Sequence, residues 1–161
     1  LDIESCLEFG VNVVIGTDST MSGGINLLSE IQTVHHKFPH FPLKDIFRMI
    51  TANAAKALFL PDSYAELRSE TENLLLLRHN HDDVFENILQ TSFADIAFLM
   101  FQGKPLFGDA DFLDLFEVNP ADYWQFSVRN REKFVLGHPE KICQQIDAIL
   151  GYHKDFPYLP F

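Results

Sequence analysis

Residues 10–24, GVNVVIGTDSTMSGG, constrain the fold more than any other stretch of this chain. Val11, Val13, Val14 and Ile15 are β-branched and apolar on both faces, the pattern of a strand buried within a parallel sheet rather than one facing water. Asp18 then falls at the C-terminal end of the strand, with a glycine-rich loop after it. In open α/β sheets and in barrels this rim is where loops project side chains from a rigid base into one cavity, which makes an acidic residue there a functional candidate. The commoner use of an aspartate after a strand is to accept backbone amides as a cap. Spacing alone leaves both readings open.

The wording of three segments goes further than their physics. Cys6 to Ser19, CLEFGVNVVIGTDS, resembles the last barrel strand of the amidohydrolase superfamily, the metal-dependent hydrolases and deaminases related to cytosine deaminase and the chlorohydrolases. Met49 to Leu58, MITANAAKAL, is similar to the family's T-x-N-P-A-x-A-L helix pair, and Phe93 to Asp109, FADIAFLMFQGKPLFGD, to its closing strand pair. The three matches occur in the family's order. The sequence departs from the pattern at Ala54, where proline is usual, and at Phe59, where glycine is common.

The resemblance implies an α/β fold: the last strand and helices of a (β/α)8 metal-dependent hydrolase barrel, part of a small composite β-sandwich, and a helical C-terminal tail. The corresponding domains are 1–60 for the end of the barrel, 61–109 for the sandwich part and 110–161 for the tail. A complete barrel takes about 250 residues, and these 161 open on Leu1 rather than methionine, so the expected identity is the C-terminal portion of a longer enzyme. By resemblance, Asp18 is both the catalytic residue and a metal ligand, the metal is divalent and most simply zinc, and the remaining ligands, an H-x-H pair among them, lie upstream. The expected activity is hydrolysis of a C–N bond (amide, amidine or ring amino) in a small molecule. The expected partners are that substrate, the N-terminal part of the same enzyme and, for the apolar tail, a second copy of the chain. The competing reading is a non-catalytic binding or oligomerisation module with a Phe-rich helical tail.

Composition narrows the classes. A formal net charge of -11 argues against nucleic acid and anionic membrane surfaces, which require clustered Lys and Arg. With 47% hydrophobic residues the chain can pack a core. Cys6 and Cys143 lie far apart and form no C-x-x-C motif, which fits a reducing cytoplasm better than a disulfide framework. Sixteen phenylalanines, many of them after Phe93, must bury their rings against something.

Taken in order, 1–9 reads as the last turns of a helix ended by Gly10. Leu27, Ile31, Val34 and Phe38 form a helical stripe stopped by Pro39. Pro42 to Ile50 reads as another helix, and Asn53 as the cap of an alanine-rich helix through Leu60. The polar stretch 61–71 is a linker, 73–78 a short apolar strand, and Gln102-Gly103 a two-residue hairpin turn. Asn119-Pro120 opens a helix to about Val135. Pro139 opens another, with Ile142, Ile146, Ile149 and Leu150 on one face and Gly151 closing it. The end, 156–161, packs in extended form.

Other polar groups carry less. His79-Asn80-His81 has the spacing of a two-histidine metal site, but beside Asp82 and Asp83 it reads as surface. His35 and His36 are adjacent on a helix and cannot face one ion, and Pro39 separates His36 from His40. Ser22-Gly23-Gly24 before a helix lacks the lysine or further glycines of a phosphate loop. Ser19 and Thr20 read as loop hydroxyls, with no nucleophile elbow around them.

Overall fold

A computed structural model describes residues 3–19 and 22–156, which form two compact units, Leu1–Thr71 with His79–Ser92 and Glu72–Arg78 with Phe93–Phe161. The first unit is helical. Helix α1 (Ile3–Glu8) ends where Gly10 takes a φ of 71°, as its glycine predicts. Helix α2 (Leu27–Lys37) is capped by Asn26, whose side chain accepts the Ser29 amide at 3.0 Å. Helix α3 (Leu43–Ile50) and helix α4 (Ala52–Ala57) follow almost without a break, and helix α5 (Val84–Gln90) starts under Asp83, which accepts the amides of Phe85 and Glu86 at 2.9 Å each. Ile31 of α2, Ile46 of α3 and Leu89 of α5 are buried and line one small gap together with Phe47 and Phe85. Gln32 donates to the Leu89 carbonyl at 2.8 Å, tying α2 to the end of α5.

Two expectations for this unit are corrected. Residues 11–18, expected as a buried strand, run without a sheet partner among the described residues, and Val11 and Val14 are 52% and 39% exposed. A strand's main-chain bonds come from its neighbours, and this segment instead fastens to helices: the Ile15 amide donates to the Met49 carbonyl at 3.2 Å. Asn53 does not cap the alanine-rich helix. That position falls to Thr51, which makes no side-chain cap bond, and Asn53 sits inside α4 with its side chain turned to the 11–15 segment. Phe59, in the place of the expected glycine, adopts a φ of 55° after α4.

The second unit is built on one antiparallel sheet, with β1 (Leu74–Leu77), β2 (Ile96–Phe101), β3 (Lys104–Asp109), β4 (Tyr123–Val128) and β5 (Arg131–Leu136) in the order β1-β2-β3-β5-β4. Gln102 and Gly103 turn β2 into β3 with φ values of 50° and 72°. One face gathers Phe98, Tyr123 and Phe134 under Leu113, and Phe98 stacks on Phe112 and Phe116 with ring centroids 5.1 and 5.4 Å apart. Gly108 pairs with Phe98 on one side and Phe134 on the other, and a Cβ there would meet the Ala97 carbonyl oxygen at 2.7 Å, so the close strand approach requires glycine. The opposite face buries a charge. Lys133, 0% exposed, lies opposite Asp109 in the β3–β5 register, meets its carboxylate at 2.7 Å and donates to the Ile96 carbonyl at 2.6 Å, while Arg78 holds the other carboxylate oxygen.

The segment after Pro120, expected as a helix to Val135, is the β4–β5 hairpin. Trp124, Phe126 and Val128 alternate with exposed Gln125 and Ser127 at the strand period of two, and Arg129 and Asn130 both take positive φ, the two-residue turn that matches strand twist. The asparagine-proline start serves only a single 3-10 turn, Pro120–Asp122. Helix α6 (Pro139–Leu150) forms as its punctuation predicts and closes on Gly151 with a φ of 75°. Its apolar stripe is less covered than expected: Ile146 is half-buried, whereas Ile142 and Ile149 are 57% and 84% exposed. The packing expected of 157–161 lies outside the described residues. Among the described residues no helix is long and apolar enough to cross a membrane.

Candidate functional site

Asp18 ends the 11–17 segment and is exposed, with a φ of 54°. Aspartate tolerates this left-handed region better than most residues, and such conformations gather where the surrounding structure holds a residue for a purpose. The segment beneath is held by two amide side chains: Asn12 Nδ2 donates to the Asn53 carbonyl and Asn53 Nδ2 to the Val13 carbonyl, each at 2.9 Å. Helix α4 thereby fixes the base from which Asp18 projects.

The loop after Asp18 folds back on it. The amides of Ser22 and Gly23 donate to the Ser19 carbonyl at 3.0 and 2.7 Å, and the Ser22 hydroxyl donates to Asp18 Oδ2 at 2.8 Å. The hydroxyls of Ser19 and Ser22 lie 3.2 Å apart. A Cβ on Gly23 would sit 2.0 Å from the Thr17 carbonyl oxygen, so this return is open only to glycine. Gly24 then gives its amide to the Glu30 carboxylate in the first turn of α2. The Ser22-Gly23-Gly24 run, weak as a phosphate loop, thus serves to bring a hydroxyl onto Asp18. The role expected for Thr20 lies outside the described residues.

Asp18 Oδ1 makes no hydrogen bond to a described residue, and a carboxylate oxygen is an ordinary zinc donor, so Asp18 fits as one ligand of a divalent metal. Three or four are needed, and among the described residues no group of three or more His, Cys, Asp and Glu could hold an ion. His79 and His81 are exposed ahead of α5, where the Asn87 side chain accepts the Asn80 and His81 amides at 2.7 and 3.0 Å. His40 pairs with Glu4 at 2.6 Å on the surface, beyond the end of α2 that carries His35 and His36.

Residues 1–68 match the amidohydrolase family. The match spans the first 68 of 161 residues and contains every group of this site: Asn12, Asp18, Ser22 and Asn53. It supports a hydrolase and agrees with the resemblance in the strand and in the helix pair. No curated protein matches the chain, and no solved structure does either. The matched segment lies within the first unit, and the sheet of the second unit lies beyond it.

Two features of the site escape a linear reading. The Asn12–Asn53 exchange joins residues 41 apart, and the Ser22 hydroxyl reaches Asp18 only because Gly23 lets the loop double back. A serine four residues after the acid was the visible signal for the second. Nothing in sequence marks the first.

Proposed function

We propose that this chain is part of a metal-dependent amidohydrolase that hydrolyses a C–N bond (amide, amidine or ring amino) in a small molecule, with its other metal ligands supplied from outside these residues. The observation that carries the reading is Asp18: an exposed carboxylate at the end of an apolar strand-like segment, inside the region that matches the family, with one oxygen held by Ser22 and the other without a hydrogen bond to the described residues. A divalent metal, zinc in this reading, would lower the pKa of water towards neutral and so supply a nucleophile. Asp18 contributes one ligand oxygen, accepts the proton of the attacking water and returns it to the leaving nitrogen, the work of a general base followed by a general acid. Asn53 and Asn12 keep the segment below Asp18 in place while this happens.

A composite sandwich completed by strands from outside these residues is part of the same proposal, as are the 1–60, 61–109 and 110–161 division and a cytoplasmic location. The alternative, a non-catalytic module that pairs through its tail, is favoured by one observation, the exposure of Ile142 and Ile149 on α6. Amine or ammonia release from a panel of cyclic amides, amidines and aminated ring compounds separates the two when it is measured on the complete protein, since the described residues alone lack the remaining ligands and should be inactive. The enzyme releases it in the zinc-loaded state and stops on chelation; the module releases none with metal or without.

A further inference from the structure

We infer that Ser22 is a positioning residue for Asp18, the outer hydrogen bond that fixes the ligand carboxylate; the inference rests on the functional reading of Asp18 above. Its hydroxyl donates to Oδ2 at 2.8 Å and leaves Oδ1 as the oxygen available to a cation. A carboxylate free to rotate about its last bonds presents either oxygen in many directions, and ordering it on binding costs side-chain entropy. Held through Oδ2, it meets the ion already oriented, which is what outer hydrogen bonds to metal ligands supply.

Three observations indicate that this bond is built rather than incidental. Asp18 takes a φ of 54°, a conformation that an ordinary extended strand end does not need. Gly23 closes so tightly on the Thr17 carbonyl that a Cβ would overlap it at 2.0 Å, and this closure returns Ser22 to Asp18 four residues later. Ser19 lies against the same hydroxyl at 3.2 Å, a second oxygen that limits its rotation. Ser22 is itself exposed, so the bond is made where water could have served a merely solvated carboxylate.

The test uses the complete protein, with the part that supplies the other ligands, and reads zinc affinity by competition with a chelator, together with the melting temperature of the metal-free protein. Ser22→Ala should weaken zinc binding about 10- to 100-fold, the range for lost outer partners of a metal ligand. Ser22→Thr, which keeps the hydroxyl, should bind zinc within a few-fold of the wild type. The metal-free melting temperatures should agree among all three, because a purely structural hydroxyl would move that reading and not the affinity. Equal zinc affinity in Ser22→Ala and wild type, in a protein where Asp18→Asn loses the metal, would overturn the inference and leave Asp18 as a ligand. Equal losses in the alanine and threonine variants would also overturn it. If Asp18→Asn binds zinc as the wild type does, the functional reading falls and this inference with it.

Discussion

Asn12 and Asn53, 41 residues apart, tie the 11–15 segment to helix α4: the Asn12 side-chain amide donates to the Asn53 carbonyl and the Asn53 side-chain amide to the Val13 carbonyl, both at 2.9 Å. Replacing Asn53 by aspartate keeps the shape but sets a carboxylate oxygen against the Val13 carbonyl, where an N–H had donated. An unsatisfied acceptor of this kind costs about 1–3 kcal/mol. Asn53→Ala loses one bond of about 1 kcal/mol and regains part of it in helix propensity. Urea unfolding should therefore rank wild type, Asn53→Ala and Asn53→Asp in falling stability, and an aspartate variant as stable as wild type would mean that the clamp carries no load.

In the second unit, the buried Lys133 shares Asp109 with Arg78. Removing one partner of a buried pair costs about 3–5 kcal/mol, because the remaining charge stays dry and unmatched. Asp109→Asn takes the countercharge from Lys133, which keeps only neutral partners such as the Ile96 carbonyl and the Phe107 ring, and should fall in that range by denaturant titration. Lys133→Met removes the charge together with its burial, and Arg78 still neutralises Asp109, so it should cost clearly less. The opposite ranking would contradict the assignment of the burial penalty to Lys133.

The exposure of α6 yields a contrast within one helix. Ile149→Asp alters an exposed side chain and should shift stability by no more than about 0.5 kcal/mol. Ile146→Asp moves a carboxylate into the half-buried seat of the helix and should lower the melting temperature, at about 2–4 °C per kcal/mol for a chain of this size. If Ile149→Asp proves the more damaging and also changes the elution volume, the exposed stripe is an interface between copies.

His153 and Asp147 form a surface clasp, Nδ1 to Oδ2 at 2.7 Å, with the Lys154 amide on the other carboxylate oxygen at 2.9 Å. The Asp147 hydrogen bond and charge hold the His153 pKa above the ordinary histidine value, and the His153 and Lys154 bonds hold Asp147 below the ordinary carboxylate value. The His153 contribution is complete below the unfolded histidine pKa and is lost as pH rises through the folded one. The Asp147 contribution is present above the unfolded carboxylate pKa and is lost as pH falls through the folded one. The clasp is thus strongest from about pH 4 to 6.5, between the two unfolded values. An NMR titration should place His153 above a free histidine, and Asp147→Asn should return it; an unmoved titration would show that the clasp does not form in solution.

The parts of the fold legible in sequence were those with local punctuation. Pro39 and Gly10 end helices, Gln102-Gly103 turns a hairpin, and Pro139 and Gly151 bracket α6. Asn53 misled because asparagine before alanines is a good cap, and only the tertiary neighbour at Val13 gives its amide other work. The β4–β5 hairpin was hidden by the asparagine-proline pair and by a turn of Arg129-Asn130, which reaches positive φ without a glycine. Lys133 was invisible because periodicity marks apolar residues, and a buried lysine is defined by the carboxylate facing it. Asp18 stands out as a candidate because an acid at the end of an apolar run is a positional signal. Ser22 four residues on is visible too, but its bond to Asp18 is not, since that depends on how tightly Gly23 closes.

Asp18→Asn in the complete protein supplied with zinc is the decisive variant for Asp18 as ligand and proton carrier, with turnover of a C–N substrate and the melting temperature of the metal-free protein measured on the same preparation. Asparagine keeps the size and one acceptor for the Ser22 hydroxyl, so the fold should melt as the wild type does; it gives up the charge and the proton affinity. Turnover should fall by at least the 10²- to 10⁴-fold typical of a general base, with no change in melting. Near-wild-type turnover at an unchanged melting temperature would contradict that role and leave Asp18 a loop carboxylate.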